Sequence, residues 1–102
     1  MEEISSREFD AAVASGVAVV DFSAAWCGPC KLMGPVLENE VAPVIAPAKI
    51  FKVDIDANVM LAARFGIQSI PAMLVFKDGE KVAEFIGVTS ADEIISAVKK
   101  VL

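Results

Sequence analysis

The sequence predicts an α/β domain in which a mixed β-sheet carries helices on both faces. Three observations lead there. A strand pattern at Val17–Ser23 is followed by a helical pattern and then a second strand pattern at Lys49–Asp56, the order of a strand–helix–strand unit. Ala72–Phe76 and Lys81–Ile86 flank Asp78-Gly79, a strong hairpin signal. Capping boxes at Ser5–Glu8 and Ser90–Glu93 mark a helix near each end of the chain.

Residues 2 to 4 fit a short first strand. Ile4 and Phe9 sit where a hydrophobic staple would clamp a helix running to about Ala14, with Ser15-Gly16 as its stop. Val17–Ser23 is β-branched and almost continuously apolar, interrupted by Asp21, as expected of a strand covered on both faces. From about Cys27 to Ala46 the pattern is helical, with Leu32, Val36 and Leu37 on one stripe and Pro35 placed to kink the helix or remove a hydrogen bond. Lys49–Asp56 alternates Ile50, Lys52, Asp54 and Asp56 against Phe51, Val53 and Ile55, which reads as a strand. A short helix over Asn58–Phe65 is stopped by Gly66, and a terminal helix places Ile94, Ile95, Val98, Val101 and Leu102 on one face. Met33, Met60 and Met73 are expected as gap-filling core.

The 102 residues are 56% apolar, which excludes intrinsic disorder and suits a single domain over residues 1–102. Nine basic against fourteen acidic residues give a net charge of −5, which argues against nucleic acid or an anionic membrane as partner. No apolar run reaches the roughly 18 residues of a membrane span, and Met1-Glu2-Glu3 is acidic where a secretory signal would be basic; a soluble, cytoplasmic protein is expected. Cysteine is the most restrictive count. There are two, Cys27 and Cys30, and no histidine. A disulfide between them closes too small a loop to be a useful staple, and a closed zinc site would lack two of its four ligands. No metal is expected. Redox chemistry or a coincidental pair of buried thiols remains.

Trp26-Cys27-Gly28-Pro29-Cys30-Lys31 lies where a strand ends and the long helix begins. Unpaired amides and the helix dipole favour an anion there, so Cys27 is expected to have a depressed pKa and to be the nucleophile. Cys30, inside the first turn, can attack a mixed disulfide on Cys27 and is expected to be the more shielded thiol. Gly28 permits close backbone approach and Pro29 fixes φ near the first turn.

These residues, with Val19-Val20-Asp21-Phe22, Pro35, Lys52-Val53-Asp54-Ile55-Asp56, Phe65-Gly66-Ile67, Ile70-Pro71, Phe76-Lys77-Asp78-Gly79 and Gly87, make the chain resemble the thioredoxin family over essentially its whole length. The resemblance implies a thioredoxin fold, with a central mixed five-stranded sheet flanked by four helices. It further implies a protein-disulfide reductase, a general electron donor in cell redox homeostasis, acting on disulfide-containing proteins and recycled by a thioredoxin reductase. No cofactor beyond the Cys27–Cys30 disulfide is expected, and the chain is expected to be a monomer. Asp21 takes the place of the family's buried carboxylate, exchanging a proton with Cys30, with Lys52 beside it. Pro71 takes the place of its cis proline. Trp26, Gly28, Pro29, Ile70, Pro71 and Gly87, within the Ile86-Gly87-Val88 turn, are the expected substrate surface, with backbone near Ile70 pairing with an extended segment.

There are departures from the family pattern. Ala72 stands where relatives commonly carry threonine, and Ser23-Ala24-Ala25 replaces a second tryptophan. Pro43 and Pro47 fall where relatives continue the long helix, which is therefore expected to end by about Pro43. Three competing functions use the same residues. An oxidase or isomerase is disfavoured by Gly28-Pro29, since such members usually carry histidine between their cysteines. An interaction module is not separated by sequence from an enzyme, and metal bridging between two copies would need four pooled cysteines.

Overall fold

In the computed structural model, which describes residues 1–102, the centre of the molecule is β2 (Val17–Ser23), every residue of which is buried. Two strands flank it. β3 (Lys49–Asp54) runs parallel to it, Ala18 opposite Lys49 and Asp21 opposite Lys52, and β4 (Ala72–Lys77) runs antiparallel, Asp21 opposite Met73. The two-residue β1 (Glu2–Glu3) pairs in parallel outside β3, and β5 (Glu80–Ile86) pairs antiparallel outside β4, giving the order β1-β3-β2-β4-β5. Asp78 and Gly79 both have positive φ, 49° and 85°, the backbone that a two-residue hairpin turn requires.

Side chains alternate across a strand, so β2 feeds two separate cores. Ala18, Val20 and Phe22 face α1 (Ser6–Val13) and α4 (Val59–Arg64), in a cluster with Phe9, Val13, Phe51, Leu61, Leu74 and Phe76. Phe65, half-buried, packs against that cluster, with ring centroids 5.3 Å from Phe9 and 5.4 Å from Phe76, tilted or edge to face as aromatic quadrupoles prefer. Val17 and Val19 face the other way, onto the long helix and α5 (Ala91–Lys99), with Met33, Leu37, Val41, Ile45, Met73, Val75, Ile94 and Val98. Asp21 and Ser23 continue this second row to the end of β2.

The long helix begins as α2 (Gly28–Val36), widens into a π-helical turn over Leu37–Val41 and closes as α3 (Ala42–Ile45). It forms one continuous body, so four helical bodies flank the five-stranded sheet. It passes through Pro43 instead of ending there. The Ala42 N–H reaches back five residues to the Leu37 carbonyl, and Pro43, which has no N–H to give, occupies the first turn after the switch, where a missing donor is tolerated. The buried stripe also differs from expectation: Leu32 is exposed, and Met33 takes its place.

Local signals explain the other elements. The Glu8 carboxylate accepts from the Ser5 backbone N–H at 2.9 Å and from its hydroxyl at 3.0 Å, and those bonds hold Glu8 below the usual carboxylate range. Ser90 Oγ accepts from the Glu93 N–H at 3.3 Å. Asn58, the buried N-cap position of α4, stitches three segments: its Oδ1 accepts from the Ser6 N–H and hydroxyl, and its Nδ2 donates to the Asp54 carbonyl. β3 stops at Asp54, two residues early, because Asp56 turns back so that its N–H meets Asp54 Oδ1. Met60 is 80% exposed rather than core, on the outer side of α4, whose Leu61 and Ala62 face the sheet. α5 ends at Lys99, leaving Leu102 beyond its apolar face and half exposed.

Candidate active site

β2 and α2 meet at the dithiol. Cys27 is the N-cap of α2, in extended backbone (φ −87°, ψ 112°), and its Sγ accepts from the Cys30 N–H at 3.2 Å. The fixed ring of Pro29 and the three-residue spacing bring the two Cα atoms to 5.3 Å, and the side chains form a disulfide. The expected difference in shielding is absent: Cys27 is 4% and Cys30 6% exposed, both packed with Ala24 in a small apolar cluster against Ile55 and Ile70. Direction separates the two. Cys27 Sγ faces the Ile70 carbonyl oxygen at 3.9 Å, whereas Cys30 lines an open pocket that Cys27 does not reach.

Of the residues expected at the substrate surface, Ile70, Pro71 and Gly87 lie together beside Cys27. The Ile70–Pro71 peptide bond is cis, and the Pro71 carbonyl accepts from the Gly87 N–H at 2.7 Å. Gly87 has φ 84°, a left-handed conformation that a side chain would strain. Neither the N–H nor the C=O of Ile70 is bonded to other backbone of the chain, so both are free to pair with an incoming strand. Gly28 and Pro29 are exposed, and a Cβ on Gly28 would meet nothing within 4 Å, so the fold itself does not demand glycine there. Trp26 is 67% exposed, and its indole N–H donates to Asp56 Oδ2 at 2.8 Å. Asp56 was missed as a site residue; in sequence it reads only as a strand-end acid. With exposed Ile86 and Val88, these groups form an apolar rim around Cys27.

Behind the dithiol lies a cavity of about 510 Å³. Asp21, Ser23, Cys30 and Lys52 all line it, with Lys31 and Glu38 at its mouth; Cys27 does not. Asp21 is 1% exposed, and its pKa is raised to about 6, chiefly because burial penalises the charged form; the positive charge of Lys52 on the neighbouring strand works in the opposite direction. Lys52 is half-buried and makes no ion pair within 4 Å of Asp21. Asp21 Oδ1 and Ser23 Oγ are the two buried side-chain oxygens without a hydrogen-bond partner in the chain. Ser23 too was missed, although a second polar residue two positions after Asp21 in a buried strand is the available signal. No cluster of three or more metal-ligating side chains occurs. A larger cavity of about 820 Å³ opens under α1 and contains none of these residues.

A disulfide at a helix N-cap, ringed by an apolar rim with free backbone and backed by a buried carboxylate, on a mixed α/β sheet, defines a thiol–disulfide oxidoreductase. Relatives agree. The family model described as Thioredoxin matches residues 1–100. Thioredoxin of Staphylococcus aureus is 41% identical over 98 residues, 96% of this chain and 94% of that protein. Among solved structures, a mutant thioredoxin from Halobacterium salinarum superposes with a TM-score of 0.87 at 31% identity, covering 98% of this chain and 90% of that one. Malassezia sympodialis thioredoxin gives 0.86 at 32% identity, covering 98% and 91%. The chain belongs to the thioredoxin family and is a protein-disulfide reductase. Disulfide substrates and a thioredoxin reductase are the partners that this family implies, and no helix is long and apolar enough to cross a membrane.

Proposed function

We propose that Cys27 attacks the substrate disulfide and that Cys30, deprotonated with the help of Asp21, resolves the mixed disulfide. The observation that carries the division of roles is directional: Cys27 Sγ sits at the apolar rim beside the free backbone of Ile70, and Cys30 shares a cavity with Asp21. The extended substrate segment pairs with Ile70 and lies over Trp26, Gly28, Pro29, Pro71 and Gly87. The Cys27 thiolate is stabilised by the first-turn amides, among them the Cys30 N–H, and attacks the nearer substrate sulfur. The substrate S–S bond breaks, a Cys27–substrate bond forms, and the other substrate sulfur leaves as a thiolate. Cys30 then gives its proton to the Asp21 carboxylate and attacks Cys27, re-forming the internal disulfide and expelling the second thiolate. Lys52 tempers the proton affinity of Asp21 by its charge.

On this reading the dithiol is the whole redox centre, with no cofactor or metal, and the protein acts as a cytoplasmic monomer recycled by thioredoxin reductase, with no role for nucleic acid or membrane. Cys30→Ser should accumulate mixed disulfides through Cys27, identifiable by mass spectrometry of trapped complexes. Adducts that form equally on Cys27→Ser, through Cys30, would reverse the two roles. A reduction potential above about −200 mV would mark an oxidase or isomerase instead.

A further inference from the structure

Gly87, Val88 and Thr89 span the gap between the end of β5 and Ser90, the N-cap of α5, and they carry part of the apolar rim. Their backbone is held at both ends. The Gly87 N–H donates to the Pro71 carbonyl at 2.7 Å, which ties the loop to the cis-proline segment. The Thr89 N–H donates to Met33 Sδ at 3.4 Å, which ties it to α2, three residues after Cys30. The Thr89 hydroxyl closes the loop on itself, donating to the Gly87 carbonyl at 3.0 Å. Between the anchors Val88 stands 61% exposed. The first anchor is backbone to backbone and is available to any sequence. The second is a side chain, and leucine or isoleucine would fill the same space with no acceptor. Met33 is fully buried in the core under α2 with Met73, Val75 and Ile94, and the half-buried Phe85, one residue before the rim at Ile86, packs against that core. Its unbranched thioether reaches the loop while its body fills the core. Met73, as deeply buried in the same core, accepts no hydrogen bond through its sulfur.

We propose that Met33 is a positioning residue for protein substrates: by accepting the Thr89 N–H, its sulfur fixes the Gly87–Thr89 loop against the helix that bears the dithiol. Gly87 and Val88 then keep their place relative to Cys27 while a substrate segment binds. The inference rests on the reading of this loop as part of the substrate surface. With both anchors made, the loop, the cis-proline segment and α2 form one body, and the rim is organised before a substrate arrives. With the acceptor removed, the Thr89 N–H turns to water or lies unpaired, and the loop has to be ordered at the moment of binding. That weakens binding and leaves the exchange between sulfurs as it was. A loss of this kind raises the half-saturating substrate concentration and does not change the limiting rate. A disulfide too small to reach from Cys27 to the loop is indifferent to it. The anchor is the part of the rim that depends on side-chain identity, so it is the part through which sequence sets substrate preference.

The test is single-turnover reduction of a model protein disulfide and of a small aromatic disulfide by the reduced full chain, for Met33→Leu, Met73→Leu and Val88→Ser, with exchange of the Thr89 amide proton followed by NMR. Met33→Leu conserves volume and removes the acceptor. It should raise the half-saturating concentration of the protein disulfide about two- to fivefold, the equivalent of one weak hydrogen bond, at an unchanged limiting rate. The small disulfide should be reduced at the wild-type rate, and the Thr89 amide should exchange faster. Met73→Leu alters the same core without removing a hydrogen bond and should leave both substrates as in the wild type, while Val88→Ser should weaken binding of the protein disulfide alone. Wild-type saturation in Met33→Leu, with Val88→Ser impaired, overturns the role of Met33 and leaves the loop in the substrate surface. A Val88→Ser variant without effect removes the loop from that surface, and the proposal with it. Equal losses on both substrates, or the same loss in Met73→Leu, assign the effect to core packing and overturn the proposal.

Discussion

The two faces of β2 obey opposite rules. On one, Phe22 packs into an aromatic cluster with Phe65 and, through it, Phe9 and Phe76, with the Arg64 guanidinium lying over the Phe9 and Phe65 rings as the one charged group against it. On the other, one residue earlier and one later, Asp21 and Ser23 open a polar cavity behind the dithiol. A single strand can do both because its side chains alternate, so close packing on one face fixes the backbone that aims the polar atoms on the other. The destabilising burial of Asp21 is thus carried by a neighbouring face whose buried side chains are all apolar.

Replacing residues on each face should separate these contributions. The largest effect lies at the dithiol beyond the strand: Cys27→Ser should lower disulfide reduction by more than about a thousandfold, measured against a model protein disulfide, since the remaining hydroxyl is not an effective nucleophile. Phe22→Ala should destabilise the fold by about 3–5 kcal/mol in denaturant unfolding through cavity formation. Asp21→Asn should act in the opposite direction. The folded-state pKa of Asp21, about 6, stands above the ordinary aspartate value of 3.8, so the charged form costs stability that the protonated form does not. The contribution of Asp21 is greatest below about pH 4 and is lost as the pH rises through 6. Asp21→Asn should thus gain up to about 3 kcal/mol at pH 7 and little at pH 4, while slowing resolution. Equal gains at both pH values would deny the ionised carboxylate its cost. The smallest effect belongs to the rim: Asp56→Ala should free the Trp26 indole, visible as a fluorescence change, with a stability shift within about 0.5 kcal/mol.

Much of this arrangement is legible in the chain. Val17–Ser23, the Asp78-Gly79 hairpin and both capping positions are local signals, and local signals survive folding. The dithiol stands where a strand gives way to a helix, a boundary that composition alone marks. What escaped is what tertiary context decides. Leu32 and Met33 are adjacent and equally apolar, and only the docking angle of the helix selects which is buried. Met60 reads as core by composition, yet it lies on the outer side of a helix only six residues long. The free backbone of Ile70 has no signature at all, because it consists of hydrogen bonds not made. Ser23 has only its polarity within a buried strand to mark it, and that its oxygen is unpaired shows in the structure alone.

The π turn has a consequence for how the length of this chain can vary. Met33, Leu37, Val41 and Ile45 are buried at intervals of four, and at about 100° per residue an ideal helix would turn that stripe some 40° away from the sheet at every step. The wide turn at Leu37–Val41 absorbs the drift by holding one residue more than an α-helical turn. Deleting one of the exposed residues Glu38, Asn39 or Glu40 would leave intervals of four, three and four, the ordinary spacing of an α-helix, with both flanks still facing the core. The segment is thus a place where a residue can be lost from the chain without turning the buried stripe away from the sheet.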